Sequence, residues 1–309
     1  MKTLCIDLGG TRAKLAVVEA GRLTALDVFP TDHRQSMAAT LETLTARARA
    51  LPGIDGCAGI GFAYPGIVDT ERGRVVTSNE KYLDANRVDF VRWARDAFGL
   101  PILISNDAAA AICGEMAYGS GRGFDDAVMM MIGTGIGTAA YSRGKPLTGR
   151  HGTMGILGGH IAIAHANPRR CTCGNWGCLE AYAGTWALDA LAREAPDFAQ
   201  SCLSRAEKID YRAINEGRLS GDALCARLFR DACDALCVGA VNLVHAYDPE
   251  ILILGGGASH IPEIRAVIAR YVAERSWTPW GTVSVTRVEN PEASVVLGLH
   301  SLLETRGTR

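Results

Sequence analysis

The sequence predicts an α/β protein with two domains, and three observations support this prediction. The length of 309 residues suits two domains that each bury a core of their own. A buried strand, a glycine turn and a second strand occur at the start of the chain and again near its middle. Between these two units, an apolar strand runs directly into a helix at Asn106-Asp107. In α/β folds, reactive groups lie at such strand ends.

The composition, with 48% hydrophobic and 21% charged residues, indicates a soluble globular protein. A net charge of -1 provides no electrostatic attraction to nucleic acid or to an anionic membrane surface. The first ten residues lack the apolar segment of a signal peptide, and the chain contains no apolar run of about 18 residues. We therefore expect a cytoplasmic protein with no nucleic-acid partner and no membrane partner.

The first segment predicts strands joined by a turn that can hold phosphate. Its short apolar runs are residues 3–7, 14–18 and 22–28. Gly9 and Gly10 let the backbone N–H groups approach an anion, Thr11 adds a hydroxyl and Lys14 adds a positive charge. A glycine pair alone is more often a plain turn. Asp7 is more specific, because a carboxylate beside phosphates usually implies Mg2+ between them.

The next elements alternate between helix and strand. They are a helix at 36–51, a strand at 58–64 that ends in Pro65-Gly66, a helix at 88–98, a strand at 102–105 and a helix at 108–119. This order places Asn106 and Asp107 at a sheet edge, near a helix N-terminus. Taken alone, Asp107 is as easily explained as the N-cap of that helix.

The second half repeats the pattern of the first, after a polar and glycine-rich crossing at 119–126. A buried strand at 127–132 leads into the turn Gly133-Thr134-Gly135 and a further strand. This turn could be structural only, but its match to the first turn predicts two phosphate-binding hairpins that face each other across a cleft. A third strand, 251–254, ends in Gly255, Gly256 and Gly257, which leave a flat surface for a nucleobase or ribose. The remaining elements are helices at 186–194, 232–246, 261–276 and 292–304 and an edge strand at 283–286.

Cys171, Cys173 and Cys178 are three thiols within eight residues, and His160 precedes them. Such a set fits the tetrahedral preference of Zn2+ and leaves no position open for water or substrate, so we expect a structural zinc. The alternative is that these are ordinary buried or disulfide cysteines. His151 and His165 are the other possible imidazole ligands.

These motifs resemble the ROK family of bacterial sugar kinases and repressors, within the actin-like ATPase superfamily. Six segments carry the resemblance, in family order: residues 7–14 (DLGGTRAK), 59–66 (GIGFAYPG), 105–111 (SNDAAAA), 132–137 (IGTGIG), 171–180 (CTCGNWGCLE) and 254–257 (LGGG). The resemblance implies a two-domain actin-like ATPase fold, similar to ribonuclease H, with a central cleft and a structural zinc loop. We expect domains at 1–118 and 119–291, with a closing helix at 292–305 that packs back on the first.

By this resemblance, Asp107 is the general base of a kinase that uses ATP and Mg2+ to phosphorylate a hexose, with glucose as the default. Asn106, Glu180 and the loop at Gly66 are implied to contact the sugar, and His160 to serve both zinc and sugar. Family members are commonly homodimers. Family repressors carry a DNA-binding extension before the first hairpin, whereas Asp7 already lies in that hairpin, so we expect no DNA binding.

The sequence departs from the family at residues 156–160 (ILGGH). The family usually has Glu-Ile-Gly-His or Glu-Leu-Gly-His there, and the glutamate binds sugar hydroxyls. Ile156 or Leu157 takes its place, which removes charged hydrogen bonds of roughly 1.5 to 3 kcal/mol each. A kinase for fructose, N-acetylmannosamine or allose, or a sugar-binding protein without turnover, is therefore the alternative function.

Overall fold

The computed structural model describes residues 1–78 and 81–307, and contacts divide the chain into two compact units. The first unit contains Met1–Gly123, Gly144–Met154 and the C-terminal residues from Val288. The second unit contains Phe124–Arg143 and Gly155–Arg287. The chain thus leaves the first unit twice and returns to it twice.

Strands and helices are numbered in chain order. Up to the end of the first long segment they are β1 (Lys2–Leu8), β2 (Arg12–Glu19), β3 (Arg22–Pro30), α1 (Met37–Arg49), β4 (Ile60–Tyr64), β5 (Gly66–Asp69), β6 (Arg74–Ser78), α2 (Phe90–Phe98), β7 (Ile102–Asn106) and α3 (Asp107–Tyr118). They continue with β8 (Ala127–Ile132), β9 (Ile136–Ser142), β10 (Lys145–Pro146), α4 (Glu180–Ala183), α5 (Thr185–Glu194), α6 (Tyr211–Leu219), α7 (Ala223–Tyr247), β11 (Ile251–Gly255), α8 (Pro262–Arg275), β12 (Ser284–Arg287) and α9 (Ser294–Gly307).

The sheet of the first unit has the strand order β3-β2-β1-β4-β7. β1 pairs with β2 in antiparallel fashion, whereas β1, β4 and β7 run parallel. The carboxyl ends of these three strands therefore meet at one edge, where Asp7 pairs with Ala63 and Tyr64 pairs with Asn106. The strand-to-helix junction at Asn106 thus lies on the same edge as the first glycine turn.

Helices cover both faces of this sheet. Alternate residues of each strand point to opposite faces, so neighbouring strand residues pack against different helices. Leu4 and Ile6 share one buried cluster with residues of α1 and α2. Cys5 lies in a separate cluster with residues of α9. α9 also packs closely on α3, since a Cβ atom on Gly298 would lie 1.7 Å from the Ala110 carbonyl oxygen. Only glycine permits this approach of the two helices.

The second unit repeats this arrangement, with the strand order β9-β8-β11-β12. β8 and β9 form an antiparallel hairpin, and β8, β11 and β12 are parallel. Met131 pairs with Gly255, so the second and third glycine turns follow neighbouring strand ends. The 25-residue helix α7 has Asp222 as its N-cap and Asp248 as its C-cap, and the φ of 47° at Asp248 is left-handed.

Most predicted strands and helices occur, but one helix boundary is wrong and some elements were not predicted. The helix predicted at 232–246 is α7, which begins at Ala223. Its first part, residues 223–231, mixes charged with apolar residues, yet Leu224 and Leu228 are buried at helical spacing. The β5–β6 hairpin and α6 also have no counterpart in the predicted elements. None of the helices in the described part of the chain combines the length and apolar character that crossing a bilayer requires.

Candidate active site

The first glycine turn joins β1 to β2 and is held from outside by two hydroxyls. The Gly9 carbonyl accepts hydrogen bonds from Thr31 Oγ1 at 3.1 Å and from Tyr82 Oη at 2.8 Å. The Gly9 N–H donates to the Arg12 carbonyl at 3.0 Å, and a Cβ on Gly9 would lie 2.7 Å from that oxygen. Thr11 is exposed at the tip of this turn. The turn is thus fixed, with its tip open for contacts to an anion.

Two carboxylates lie at the sheet edge beside this turn. Asp7 precedes it on β1, and Asp107 begins α3. Burial raises the pKa of Asp7 to about 6, although Lys14 opposes the shift. Burial likewise raises the pKa of Asp107, while the Ala108 N–H and the charge of Lys81 lower it. Each carboxylate is also sensitive to nearby charge, since Asp107 adds to the rise at Asp7.

Asn106, and not Asp107, is the N-cap of α3. Its Oδ1 accepts hydrogen bonds from the Ala108 N–H at 2.9 Å and the Ala109 N–H at 3.1 Å. Its Nδ2 donates to the Gly66 carbonyl at 3.0 Å. The explanation of Asp107 as the cap of this helix is therefore wrong. The Asn106 amide instead fixes the helix start to the loop at Gly66.

Lys14 is buried and forms an ion pair with Glu292. Its Nζ lies 3.1 Å from a Glu292 carboxylate oxygen and 3.0 Å from the Glu292 carbonyl. Asp7 lies farther away, at 3.9 Å. Lys14 therefore ties the first hairpin to the residues just before α9, and its charge is partly balanced there.

Lys81 is a basic residue near this edge that sequence reasoning missed. Its Cε would lie 3.0 Å, and its Nζ 3.4 Å, from a Cβ atom built on Gly10. Its charge also acts on Asp107, whose pKa it lowers. No motif includes Lys81, and only its place in the fold brings it to the first glycine turn. The spacing of charged residues in the sequence contains no signal for it.

The second glycine turn is anchored to α5 and to Glu180. The Gly133 carbonyl accepts hydrogen bonds from the Thr185 N–H at 3.1 Å and from Thr185 Oγ1 at 2.8 Å. The Thr134 carbonyl accepts from the Trp186 N–H at 3.2 Å. Gly135 has no room for a side chain, because a Cβ would lie 2.3 Å from Glu180 Oε2. The turn and the acidic residue are thus packed together.

The third glycine turn, residues 255–257, lies against the second. Gly256 has a φ of +79°, and a Cβ there would lie 2.4 Å from the Ile132 carbonyl oxygen. At Gly257 a Cβ would meet nothing within 4 Å. Gly255 ends β11, so the two turns follow parallel neighbours of one sheet. This placement suits two parts of one nucleotide.

His160, Cys171, Cys173 and Cys178 form one cluster of possible metal ligands in the described part of the chain, and neither His151 nor His165 belongs to it. Their ligand atoms lie within 4.8 Å of one another. Cys173 and Cys178 have their sulfurs 3.7 Å apart, and Cys171 Sγ is 3.6 Å from His160 Nδ1. A tetrahedral Zn2+ with Zn–S bonds of about 2.3 Å has ligand separations of about 3.8 Å. The four residues therefore fit zinc.

Glu180 joins the metal-ligand loop to the second glycine turn. It begins α4 and is only 7% exposed. Its Oε2 accepts the Ile136 N–H at 2.8 Å, and its Oε1 accepts from Trp186 Nε1 at 3.2 Å and Thr172 Oγ1 at 3.4 Å. Three protein donors thus hold the carboxylate that the family resemblance implies as a sugar contact.

The chain matches the model of the ROK family over residues 3–305. It belongs to the ROK family. A glucokinase from Thermotoga maritima is 29% identical, over 99% of this chain and 98% of that protein. A glucokinase from Streptomyces griseus, solved with glucose and AMPPNP, has a TM-score of 0.80 and 25% identity, covering 98% of this chain and 99% of that chain. A hexokinase from Thermus thermophilus has a TM-score of 0.80 and 27% identity, covering 99% of this chain and all of the other.

The relatives of this chain also include repressors. A putative xylose repressor from a Caldicellulosiruptor species is 30% identical, over 81% of this chain and 63% of that protein. The fold prediction is confirmed: the chain has the two-domain α/β architecture of ROK kinases. The glucokinase and hexokinase relatives support a sugar kinase at the level of the family.

The departure from the ROK pattern lies in an ordered loop of the second unit. Thr138 Oγ1 donates to the Gly155 carbonyl and accepts from the Gly158 N–H, at 2.6 and 2.8 Å. Between these two anchors, Leu157 is 42% exposed, whereas Ile156 is half-buried. Leu157 is therefore the better candidate for the position of the family glutamate. An apolar side chain at this position cannot form a hydrogen bond.

Proposed function

We propose that this ROK protein transfers the γ-phosphoryl group of ATP to a hydroxyl of a hexose, with glucose as the first candidate sugar. The observation that supports this most directly is the position of Asp107. It lies at the sheet edge that carries the first glycine turn, with a pKa raised by burial. A carboxylate with a raised pKa is suited to accept a proton near neutral pH.

In this mechanism Asp107 accepts the proton of the attacking hydroxyl as its oxygen bonds to the γ-phosphorus and ADP leaves. Phosphoryl transfer needs positioning and charge neutralisation more than covalent help from the protein. The turns at Gly9-Gly10-Thr11 and at Gly133-Thr134-Gly135 supply backbone N–H groups for phosphate. Gly255, Gly256 and Gly257 leave space for the adenosine.

Two metal ions belong to the proposal. Asp7 would hold Mg2+, directly or through water, and the ion would neutralise phosphate charge. His160 and the three cysteines would hold a structural Zn2+, because their spacing matches a closed tetrahedral site. The zinc would fix the loop that carries Thr172, and through Glu180 the second glycine turn.

His160, Asn106, Glu180 and Gly66 are the proposed sugar contacts. The Asn106 amide already caps α3 and donates to the Gly66 carbonyl. A hydrogen bond from Asn106 to a sugar must therefore be formed by the same amide group. Glu180 must likewise share its oxygens with protein donors, which makes it a positioning residue as much as a ligand. The apolar Leu157 in place of the family glutamate favours a second candidate function, a kinase for fructose, N-acetylmannosamine or allose.

An ADP-release assay with Mg-ATP tests the function on glucose, fructose, mannose, allose, N-acetylmannosamine and N-acetylglucosamine. We expect turnover on at least one sugar and a loss of about 10²- to 10⁴-fold in kcat for Asp107→Asn. Asp89→Asn is the matched control, because Asp89 is an exposed N-cap of α2 and asparagine caps equally well.

Sugar binding measured by calorimetry separates the possible outcomes. Wild-type turnover that survives in Asp107→Asn would contradict the role of Asp107 as the base. Binding of a sugar without turnover would instead indicate a sugar-binding protein that is not a kinase.

A further inference from the structure

Cys202 and Cys225 form a pair of thiols that lies outside the proposed active site and outside the zinc cluster. Their sulfurs are 3.8 Å apart. Cys202 begins a short 3-10 helix at Cys202–Arg205 and is exposed, whereas Cys225 lies in the first turn of α7 and is fully buried. One thiol can therefore meet a reagent from solvent while the other is shielded behind it.

A single carboxylate holds the backbone of both cysteines. Asp222 Oδ2 accepts the Cys202 N–H at 2.8 Å, and Oδ1 accepts the Cys225 N–H at 2.9 Å. Ser201 Oγ also donates to Oδ2, at 2.9 Å. These hydrogen bonds hold the pKa of Asp222 well below its usual range, against the effect of its burial. The carboxylate thus holds together the two backbone segments that carry the thiols.

Gly217 of α6 provides the space that the two sulfurs occupy. A Cβ atom there would lie 2.4 Å from Cys225 Sγ and 2.8 Å from Cys202 Sγ. Any other residue would push the sulfurs out of their present positions. The pair therefore depends on three separate features: the shared carboxylate, the missing side chain and the exposure of one thiol.

We propose that Cys202 and Cys225 are a redox-sensitive dithiol that a peroxide converts to an intramolecular disulfide. The Cys202 thiolate attacks the peroxide and the O–O bond breaks, so that hydrogen peroxide yields Cys202 sulfenic acid and hydroxide. The hydroxide takes up the proton that the Cys202 thiol released on ionisation, and water is formed. The Cys225 sulfur then attacks the sulfenic sulfur and releases a second water. Two thiols are oxidised by two electrons, and the peroxide takes up both.

A disulfide suits this pair better than a metal ion does. Asp222 completes a possible ligand set with the two thiols, but both of its oxygens already accept hydrogen bonds from the protein. Two thiols without further ligands are a poor zinc site. An S–S bond of about 2.05 Å requires the sulfurs to approach by less than 2 Å, which rotation of the exposed Cys202 side chain can supply.

The test is peptide mapping of the zinc-loaded protein after treatment with hydrogen peroxide and alkylation without reduction. Trypsin cuts at Arg205 and Arg218, so Cys202 and Cys225 fall in different peptides. We expect these peptides to be joined, with the mass of two hydrogens lost, and to separate again on reduction with dithiothreitol. The zinc content should stay constant during the treatment.

Cys202→Ser and Cys225→Ser should each abolish the cross-link, whereas Cys57→Ser, which removes a thiol of the first unit, should leave it unchanged. The oxidised wild type should also unfold at a higher temperature than the reduced protein, because the bond closes a loop in the unfolded chain. Cys202→Ser should show no such shift.

Three results would overturn the proposal. The first is a Cys225 that remains fully alkylatable after Cys202 has been oxidised. The second is a cross-link that forms only after zinc has been lost. The third is a second zinc ion per chain that disappears in Cys202→Ser, which would identify a metal site instead.

Discussion

At the residue scale, the proposed base lies between groups that act on its charge in opposite directions. Burial raises the pKa of Asp107, and Lys81 lowers it. The same Lys81 side chain passes over Gly10, where the phosphates of ATP would bind. A cation at this position can both keep the base ionised and stabilise the charge of the transferring phosphoryl group.

Replacing Lys81 should therefore change both kcat and its pH dependence. We expect Lys81→Met to lower kcat by about a hundredfold and to move the acid limb of kcat/KM to higher pH, because the pKa of Asp107 rises when the cation is lost. Lys81→Arg should retain most of both properties. The measurement is a pH-rate profile of the wild type and the two Lys81 variants. An unshifted acid limb in Lys81→Met would argue against any action of Lys81 on the base.

A second residue-scale prediction concerns the missing carboxylate. Leu157→Glu should raise kcat/KM for glucose by about tenfold, because a charged hydrogen bond to a sugar hydroxyl contributes about 1.5 kcal/mol or more. Leu157 is exposed, so the change should not disturb the fold. Ile156→Glu is the matched control and should give no gain. Equal effects of the two variants would mean that neither position replaces the family glutamate.

At the element scale, what the sequence could predict depended on how local the chemistry is. The glycine turns and the three thiols each lie within short segments. Their residue types and spacing were therefore sufficient to predict where these turns and the thiol cluster lie in the chain. By contrast, Lys81 lies near Gly10 only because the fold brings these two residues together. The Glu292 partner of Lys14 comes from the opposite end of the chain, and no local pattern links these two residues. Cys202 and Cys225 lie before and after α6 in the sequence, so the local pattern did not predict that they form a pair.

The metal-ligand loop is the element whose removal should have the widest effect. Cys178→Ser should lose the zinc, lower the thermal unfolding midpoint and reduce kcat, because Glu180 follows this loop and contacts the second glycine turn. Metal analysis, calorimetry and the ADP-release assay make the three measurements. Cys237→Ser, a buried thiol of α7, should retain its zinc. A zinc-free Cys178→Ser protein with full activity would contradict the link through Glu180.

At the scale of the whole molecule, a buried histidine connects the chain ends of the first unit. His300 of α9 has no exposed surface. Its Nδ1 lies 2.8 Å from Thr3 Oγ1, and its Nε2 accepts the Gly21 N–H at 3.2 Å. Glu304, which also pairs with the N-terminal amino group, lies 3.2 Å from the same Nε2. Accepting the Gly21 N–H requires a neutral imidazole.

This geometry predicts the direction in which acid affects stability. Burial lowers the pKa of His300, although Glu304 opposes the shift. The unfolded chain therefore binds a proton more readily than the folded protein. The contribution of His300 to the free energy of unfolding is thus complete above its unfolded pKa of about 6.5 and decreases as the pH falls below that value, by up to about 1.4 kcal/mol per pH unit.

Urea unfolding between pH 5 and pH 8 tests this prediction when the wild type is compared with His300→Gln. The wild type should lose more stability than the variant below about pH 6.5. Loss of the proposed zinc in acid would affect both proteins equally. The titration of Asp7, whose raised pKa gives a contribution of the opposite sign, would also affect both proteins equally. The difference between the two curves therefore isolates His300. His165→Gln, at an exposed position, should follow the wild type, and parallel curves for wild type and His300→Gln would show that His300 titrates alike in both states.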